Sequence, residues 1–161
     1  LGKNEITGLR DSKLLSPKKR LLISKEIKKK CLEFTIVQIS SKKIDELDIR
    51  KASLLAMKKA INRIRSKKIK IIVDGIDQID TCHPCKAIAK ADNIFKEVMA
   101  ASILAKVYRD EIMINLDKKF PRYLFRNNKG YPTKDHLHAL KKFGSIGDHR
   151  KTFGPVKKLH E

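Results

Sequence analysis

KADNIFKEVMAASILAKVYRD, residues 90–110, joins a short polar turn to a strongly apolar helix pattern. Lys90-Ala91-Asp92-Asn93 makes the turn. Val98 to Val107 is apolar on nearly every side, broken only by Ser102 and Lys106. A helix apolar all round is usually buried, so a carboxylate just before it stands on a rigid base. Ser102, Lys106 and Arg109 fall at i, i+4 and i+7 and share one face. Periodicity alone also allows a plain core helix with one polar stripe and a capping Asp.

Working outward, the chain upstream offers two short strands. Ile69, Ile71, Ile72 and Val73 form an apolar run that stops at Asp74-Gly75. Lys86 to Ala89 reads as a second strand, ending at the Lys90-Ala91-Asp92 turn. Both strands therefore end in a carboxylate, and α/β folds place functional groups at the carboxyl ends of strands. Asp74 and Asp92 are hard oxygen ligands suited to Mg²⁺ or Mn²⁺. Asp-Gly after a strand is also common turn chemistry. Phe34 to Ser40, FTIVQIS, reads as a further strand from its alternation and β-branched residues.

Helices fill the rest. Ser16-Pro17 is a start signal, with Ser as N-cap and Pro at N1. Leu21, Leu22, Ile23, Ile27 and Cys31 give the loosely helical pattern that follows. Ser40 or Ser41 caps the next segment, and helical spacing predicts a helix from Asp48 to Arg65. The central helix runs to about Lys119. Phe120 to Tyr131 reads as a loop, Thr133 caps a helix through Phe143, and Gly144 ends it. Leu1 to Leu15, Ile76 to Pro84 and the tail from Ser145 read as irregular.

Composition narrows the function. The 161 residues, 41% hydrophobic, suit one domain spanning 1–161, with a basic tail from about 145. The net charge is +20, from 38 Lys and Arg against 18 Asp and Glu. Such an excess draws polyanions, so nucleic acid is the natural partner. A genome-wide lysine bias that merely solvates the surface is the competing reading. No run approaches the roughly 20 apolar residues of a spanning helix, and no secretory signal opens the chain, so a cytoplasmic protein off the membrane is expected. The chain opens on Leu, which suggests that its natural start lies upstream. Three cysteines in such a chain are expected to stay reduced. Cys82-His83-Pro84-Cys85 is compatible with a redox pair, half a zinc site completed by His83 or His149, or two incidental thiols.

The wording of six stretches is more specific. AASILAKVYRD at 100–110, Gly8-Leu9-Arg10-Asp11-Ser12-Lys13, Ile44-Asp45-Glu46-Leu47-Asp48-Ile49, Val73-Asp74-Gly75, Lys129-Gly130-Tyr131-Pro132-Thr133 and His149 to Lys157 stand in one order along the chain. They resemble, in that order and spacing, AASILAKV.RD, GLNDSK, IDELNI, IDG, KGYPT and HRRSFGPVK of type 2 ribonucleases H, the bacterial ribonuclease HII family. Arg10, Leu14, Ile76 and Asn128 depart from the family's usual residues.

The resemblance implies an α/β ribonuclease H-like fold, with a mixed sheet flanked by helices. It implies a metal-dependent endonuclease, using Mn²⁺ or Mg²⁺, that cuts the RNA strand of RNA–DNA hybrids and ribonucleotides embedded in duplex DNA. Products would carry 5′-phosphate and 3′-hydroxyl ends, and the enzyme would be a monomer. Asp74 and Asp92 match family metal-binding carboxylates. Tyr131 matches the tyrosine that senses the RNA-to-DNA junction, and Lys13 a lysine near the phosphates. Lys129, Lys106 and the basic tail read as phosphate-backbone contacts or, equally, as a charged helix face and solvated lysines. The family's Asp-Glu pair and Gly-Arg-Gly loop, in its DEAGRG motif on the first strand, have no match here. A chain lacking them is expected to be inactive and poorly folded, with Phe34–Ser40 deprived of its neighbours. The alternative is therefore a basic nucleic-acid-binding fragment without catalysis, and a third reading is a thiol redox protein.

Overall fold

A computed structural model describes residues 6–159. The loop expected over Leu1–Leu15 is thus seen from Ile6 and the tail as far as Leu159. Helices are α1 (Pro17–Lys30), α2 (Ser41–Leu47), α3 (Ile49–Ile61), α4 (Lys96–Lys119), α5 (Phe125–Asn128), α6 (Lys134–Phe143) and α7 (Gly154–Lys157). The strands are β1 (Ile71–Asp74) and β2 (Cys85–Ile88). They pair in parallel, with Ile71 opposite Cys85 and Asp74 opposite Ile88. The chain forms two compact units. One holds the residues up to Val37 with Leu54–Val107, and the other holds Gln38–Ser53 with the chain from Tyr108.

In the first unit, α1 starts where its cap dictates. The Ser16 hydroxyl accepts the Lys19 N–H, and Pro17 occupies the first turn, where a missing N–H costs nothing. Ile23 and Ile27 of α1 pack with Ile6, Leu15 and the α4 residues Ala100, Ile103, Leu104 and Val107. Burying Ile103 completely contributes about 2–3 kcal/mol relative to exposure. Leu21 and Leu22, expected on the apolar face of α1, point to solvent instead. The buried positions beside Ile23 and Ile27 go to Ser24 and Arg20. Arg20 is there because its Nη1 donates to the carbonyls of Ser12 (2.8 Å) and Leu15 (2.6 Å), tying the preceding turn to the helix.

α4 is buried on one side rather than all round. Ala101 and Ala105 are exposed while Ala100, Ile103, Leu104 and Val107 are buried. A methyl group has little surface to hide, so alanines raise the apolar count of a helix without fixing which face turns inward.

Phe34–Ser40 corrects another expectation. It runs between α1 and α2 without joining a ladder, and among the described residues the sheet is the β1–β2 pair. Alternating β-branched residues make an extended segment, but a strand also needs a neighbour for its backbone groups. Ile36 still packs on the core of the first unit.

The second unit has a core of Tyr123, Phe125, Ala139, Leu140 and Val156, packed by Met113, Leu116, Phe120 and Ile146. α6 is bounded as its sequence reads: the Thr133 hydroxyl accepts the His136 N–H, and Gly144 closes the helix at φ +73°. The stretch expected as a loop from Phe120 to Tyr131 contains a 3₁₀ turn (Pro121–Tyr123) and α5. The tail likewise winds into α7. It is anchored by Asp45, which accepts the N–H of Lys151 (2.8 Å), and the N–H (3.0 Å) and hydroxyl (2.7 Å) of Thr152. Burial alone would raise the Asp45 carboxyl, but these bonds more than offset it and leave it below its ordinary value.

Candidate active site

β1 delivers Asp74 to the sheet end. Ile71, Ile72 and Val73 suit the pleated ladder, and the Gly75 N–H extends it by donating to the Ile88 carbonyl at 3.2 Å. Gly75 then turns the chain away at φ +150°, leaving Asp74 exposed at the carboxyl end of the strand. Beyond β2 the backbone enters the left-handed region at Lys90 (φ +58°) and winds into a 3₁₀ turn, Ala91–Asn93. The Asp74 Oδ1 accepts the Ala91 N–H at 2.9 Å. That bond ties the end of β1 to the turn that carries Asp92.

Asp92 is 9% exposed. Its Oδ2 has the Lys13 ammonium 4.0 Å away, on a side chain that is 80% exposed. Such a contact is loose and screened by salt. The turn bearing Lys13 is held more firmly. The Asp11 carboxylate accepts the Lys13 N–H at 2.9 Å, and the Ser12 and Ser102 hydroxyls are 2.9 Å apart, linking this turn to α4. Thus Asp74 at the end of β1, Asp92 on the 3₁₀ turn after β2, and Lys13 on the turn before α1 are linked within the first unit.

This donor set fits one hard divalent cation, because among the described residues the bond to Asp74 engages Oδ1 and Asp92 has a loose cation beside it. Magnesium is commonly held by one or two carboxylates, with water or phosphate oxygens completing its shell. Among the described residues no three His, Cys, Asp or Glu side chains cluster as metal ligands, so these two carboxylates do not by themselves fix a second ion. Cys82 and Cys85 are free thiols, Cys82 exposed and Cys85 half-buried on β2.

Tyr131 and Lys129 belong to the second unit. The left-handed residues Leu124 (φ +54°) and Lys129 (φ +51°) bracket α5, and Gly130 follows at φ +76°. Asn128 fixes this corner from inside: its amide donates to the Tyr123 carbonyl at 2.6 Å and its Oδ1 accepts the Gly130 N–H at 2.8 Å. Tyr131 is 56% exposed, and the Arg109 guanidinium stacks on its ring 5.0 Å from the centroid. Arg109 Nη1 is buried with no hydrogen-bond partner among the described residues. Lys129 is half-buried beside Tyr131, and Lys106 is half-buried on α4 of the first unit.

Sequence reading placed Arg109 on a helix face but gave it no partner. It missed Asn128 as a brace, treating it only as a departure from a family pattern. It named His149 only as a possible zinc ligand and a motif residue, and missed its pairing with buried His136, the two Nε2 atoms 3.2 Å apart. A polar residue before Lys-Gly, and a His on each side of Gly144, were the available signals.

No described helix is long and apolar enough to cross a membrane. The chain resembles known proteins along nearly all of its length. The profile of the family described as Ribonuclease HII matches residues 4–153. A Ribonuclease HII of Desulforamulus reducens is 45% identical over 154 residues, covering 96% of this chain and 78% of the relative. One from Natranaerobius thermophilus is 42% identical over 152 residues, covering 94% and 77%. The solved structure of ribonuclease H2 from Pyrococcus horikoshii OT3 superposes with a TM-score of 0.79 at 26% identity, covering 94% of this chain and 80% of that one. The fold is therefore the α/β ribonuclease H-like one expected. With a profile match over most of its residues and two relatives this similar, the chain belongs to the ribonuclease HII family of endoribonucleases.

Proposed function

We propose that this chain cuts the RNA strand of RNA–DNA hybrids, and ribonucleotides embedded in duplex DNA, by metal-dependent phosphodiester hydrolysis that leaves 5′-phosphate and 3′-hydroxyl ends. The observation that carries this reading is the bond from the Ala91 N–H to Asp74, which ties the carboxylate at the end of β1 to the turn that carries Asp92, in a family-matched chain of net charge +20. Asp74 and Asp92 hold Mg²⁺ or Mn²⁺. When bound, such an ion activates water and neutralises charge on the leaving oxygen, and a two-ion site does both at once. Lys13, whose exposed ammonium lies 4.0 Å from Asp92, would contact the phosphate. Tyr131, with the Arg109 guanidinium over its ring, meets the sugar next to a ribonucleotide, where a 2′-hydroxyl would crowd it. Lys129 and the basic tail contact the phosphate backbone without sequence choice.

A second reading is favoured by the donor count. With two carboxylates clustered among the described residues, the chain as it stands binds hybrids without cutting them. Asp74→Asn separates the two. Incubated with a labelled RNA–DNA hybrid and Mn²⁺ or Mg²⁺, a nuclease loses cleavage by at least about a hundredfold on this change while keeping its affinity. A pure binder shows no cleavage to lose and the same or slightly tighter binding.

A further inference from the structure

His136 and His149 lie in the second unit, 3% and 8% exposed, packed against the stacked rings of Tyr123 and Phe125. Their hydrogen bonds have two ends of fixed sense. At one end the Ile146 backbone N–H, which can only donate, lies 3.0 Å from His149 Nδ1. At the other the Tyr131 carbonyl, which can only accept, lies 2.9 Å from His136 Nδ1. Between them the two Nε2 atoms meet at 3.2 Å.

A neutral imidazole carries one proton, so these ends dictate both tautomers. His149 accepts at Nδ1 and therefore donates from Nε2. His136 accepts at Nε2 and therefore donates from Nδ1 to Tyr131. Protonating either ring sets two donors face to face, at Ile146 or between the rings. The surroundings agree with a neutral His149: burial, first, and then the neighbouring His136 lower its pKa to about 4, outweighing opposite pulls at the Ile146 contact and from Asp148. The Thr133 N–H donates to the same Tyr131 carbonyl at 2.8 Å, so the relay ends on the backbone of the Lys129–Thr133 corner.

We infer that His136 and His149 are positioning residues: a one-way hydrogen-bond relay that fixes the Tyr131 backbone and so the angle at which its ring meets the ribonucleotide junction. This rests on the reading of Tyr131 given above. The relay does not touch substrate; it acts through Tyr131.

Two measurements test it. Imidazole ¹⁵N NMR at neutral pH should show His149 as the Nε2–H tautomer and His136 as the Nδ1–H tautomer; any other pairing overturns the relay, and no variant is needed. The second measurement is binding in EDTA of a labelled DNA duplex with one internal ribonucleotide, relative to the same duplex in DNA alone. His136→Phe removes the donor to Tyr131 and should lower that affinity ratio about fivefold, the factor expected for one net hydrogen bond. His136→Asn, whose amide sits where Nδ1 sits, should preserve the ratio, which a merely structural role does not require. If Tyr131→Ala lowers the ratio and His136→Phe does not, positioning is refuted. If Tyr131→Ala itself changes nothing, the sensing role of Tyr131 has failed. The relay is then judged by its tautomers and by the Tyr131 carbonyl ¹³C shift, which must move in His136→Phe.

Discussion

Acid should weaken this protein through His149 before it reaches the carboxylates. The ring prefers to be neutral in the folded chain, where its pKa falls from 6.5 to about 4, first because burial disfavours the charged form. The unfolded chain binds the proton near the ordinary value. His149 thus contributes stability that is fully present above about pH 6.5 and is lost as pH falls toward the folded value. Between about pH 7 and 5 the folded form barely takes up the proton while the unfolded form does so almost completely, a loss of about 2 kcal/mol. Glu33, Asp45, Glu46, Asp48 and Asp80 all lie below their ordinary values and stay ionised in this window. Urea unfolding at about pH 7, 6 and 5 reads the slope. His149→Asn removes the titrating ring, so its stability should fall by about 2 kcal/mol less over the same range, whatever its stability at pH 7. Equal slopes in the two proteins would refute the assignment.

Three further outcomes follow from named contacts. Arg109→Ala should cost about 0.5–2 kcal/mol in affinity for the junction-bearing duplex by removing the cation stacked on Tyr131, and Lys should fail to restore it for want of a planar group; fluorescence anisotropy reports both. Gly130→Ala should lower stability by about 1–2 kcal/mol in thermal melts, because its φ of +76° strains any side chain and the new methyl lies 3.4 Å from Met113 Sδ. Asp45→Ala, which strips three hydrogen bonds from Lys151 and Thr152, should speed tryptic cleavage at Lys151 and Lys157 at least several-fold, and an unchanged rate would mean that the tail is held by other contacts.

Where the sequence carries its own punctuation, the structure follows it. Ser16-Pro17 and Thr133…Gly144 bound α1 and α6, because caps satisfy backbone groups locally and need no knowledge of the rest of the fold. Asp74 stands at its strand end for a similar reason: Gly75 is the residue able to turn there. Long-range partners were not legible. Nothing in FTIVQIS tells whether a neighbouring strand exists. No local pattern marks Arg20 as the donor to the Ser12 and Leu15 carbonyls. Leu21 and Leu22 beside Ile23 gave helix periodicity three choices of inward face. The candidate site divides in the same way. The carboxylates announced themselves through residue type and position, and the resemblance to family motifs suggested metal ligation as their use. Asn128, Arg109 and the His136–His149 pair depend on geometry between elements that no local pattern records.

The contacts of Asp45 also set an order of assembly. Its partners arrive 106 and 107 positions later in the chain. A ribosome adding about 5–20 residues per second needs roughly 5–20 s to make them. The first unit has all its residues once Val107 has emerged, while Gln38–Ser53 still waits for the companions of its own unit. Through that interval Ile44, Leu47 and the flanking lysines form an early-made, late-docked insert. The nascent chain therefore carries an unfinished half through synthesis, and a pause placed after Val107 would let one unit settle before the other begins.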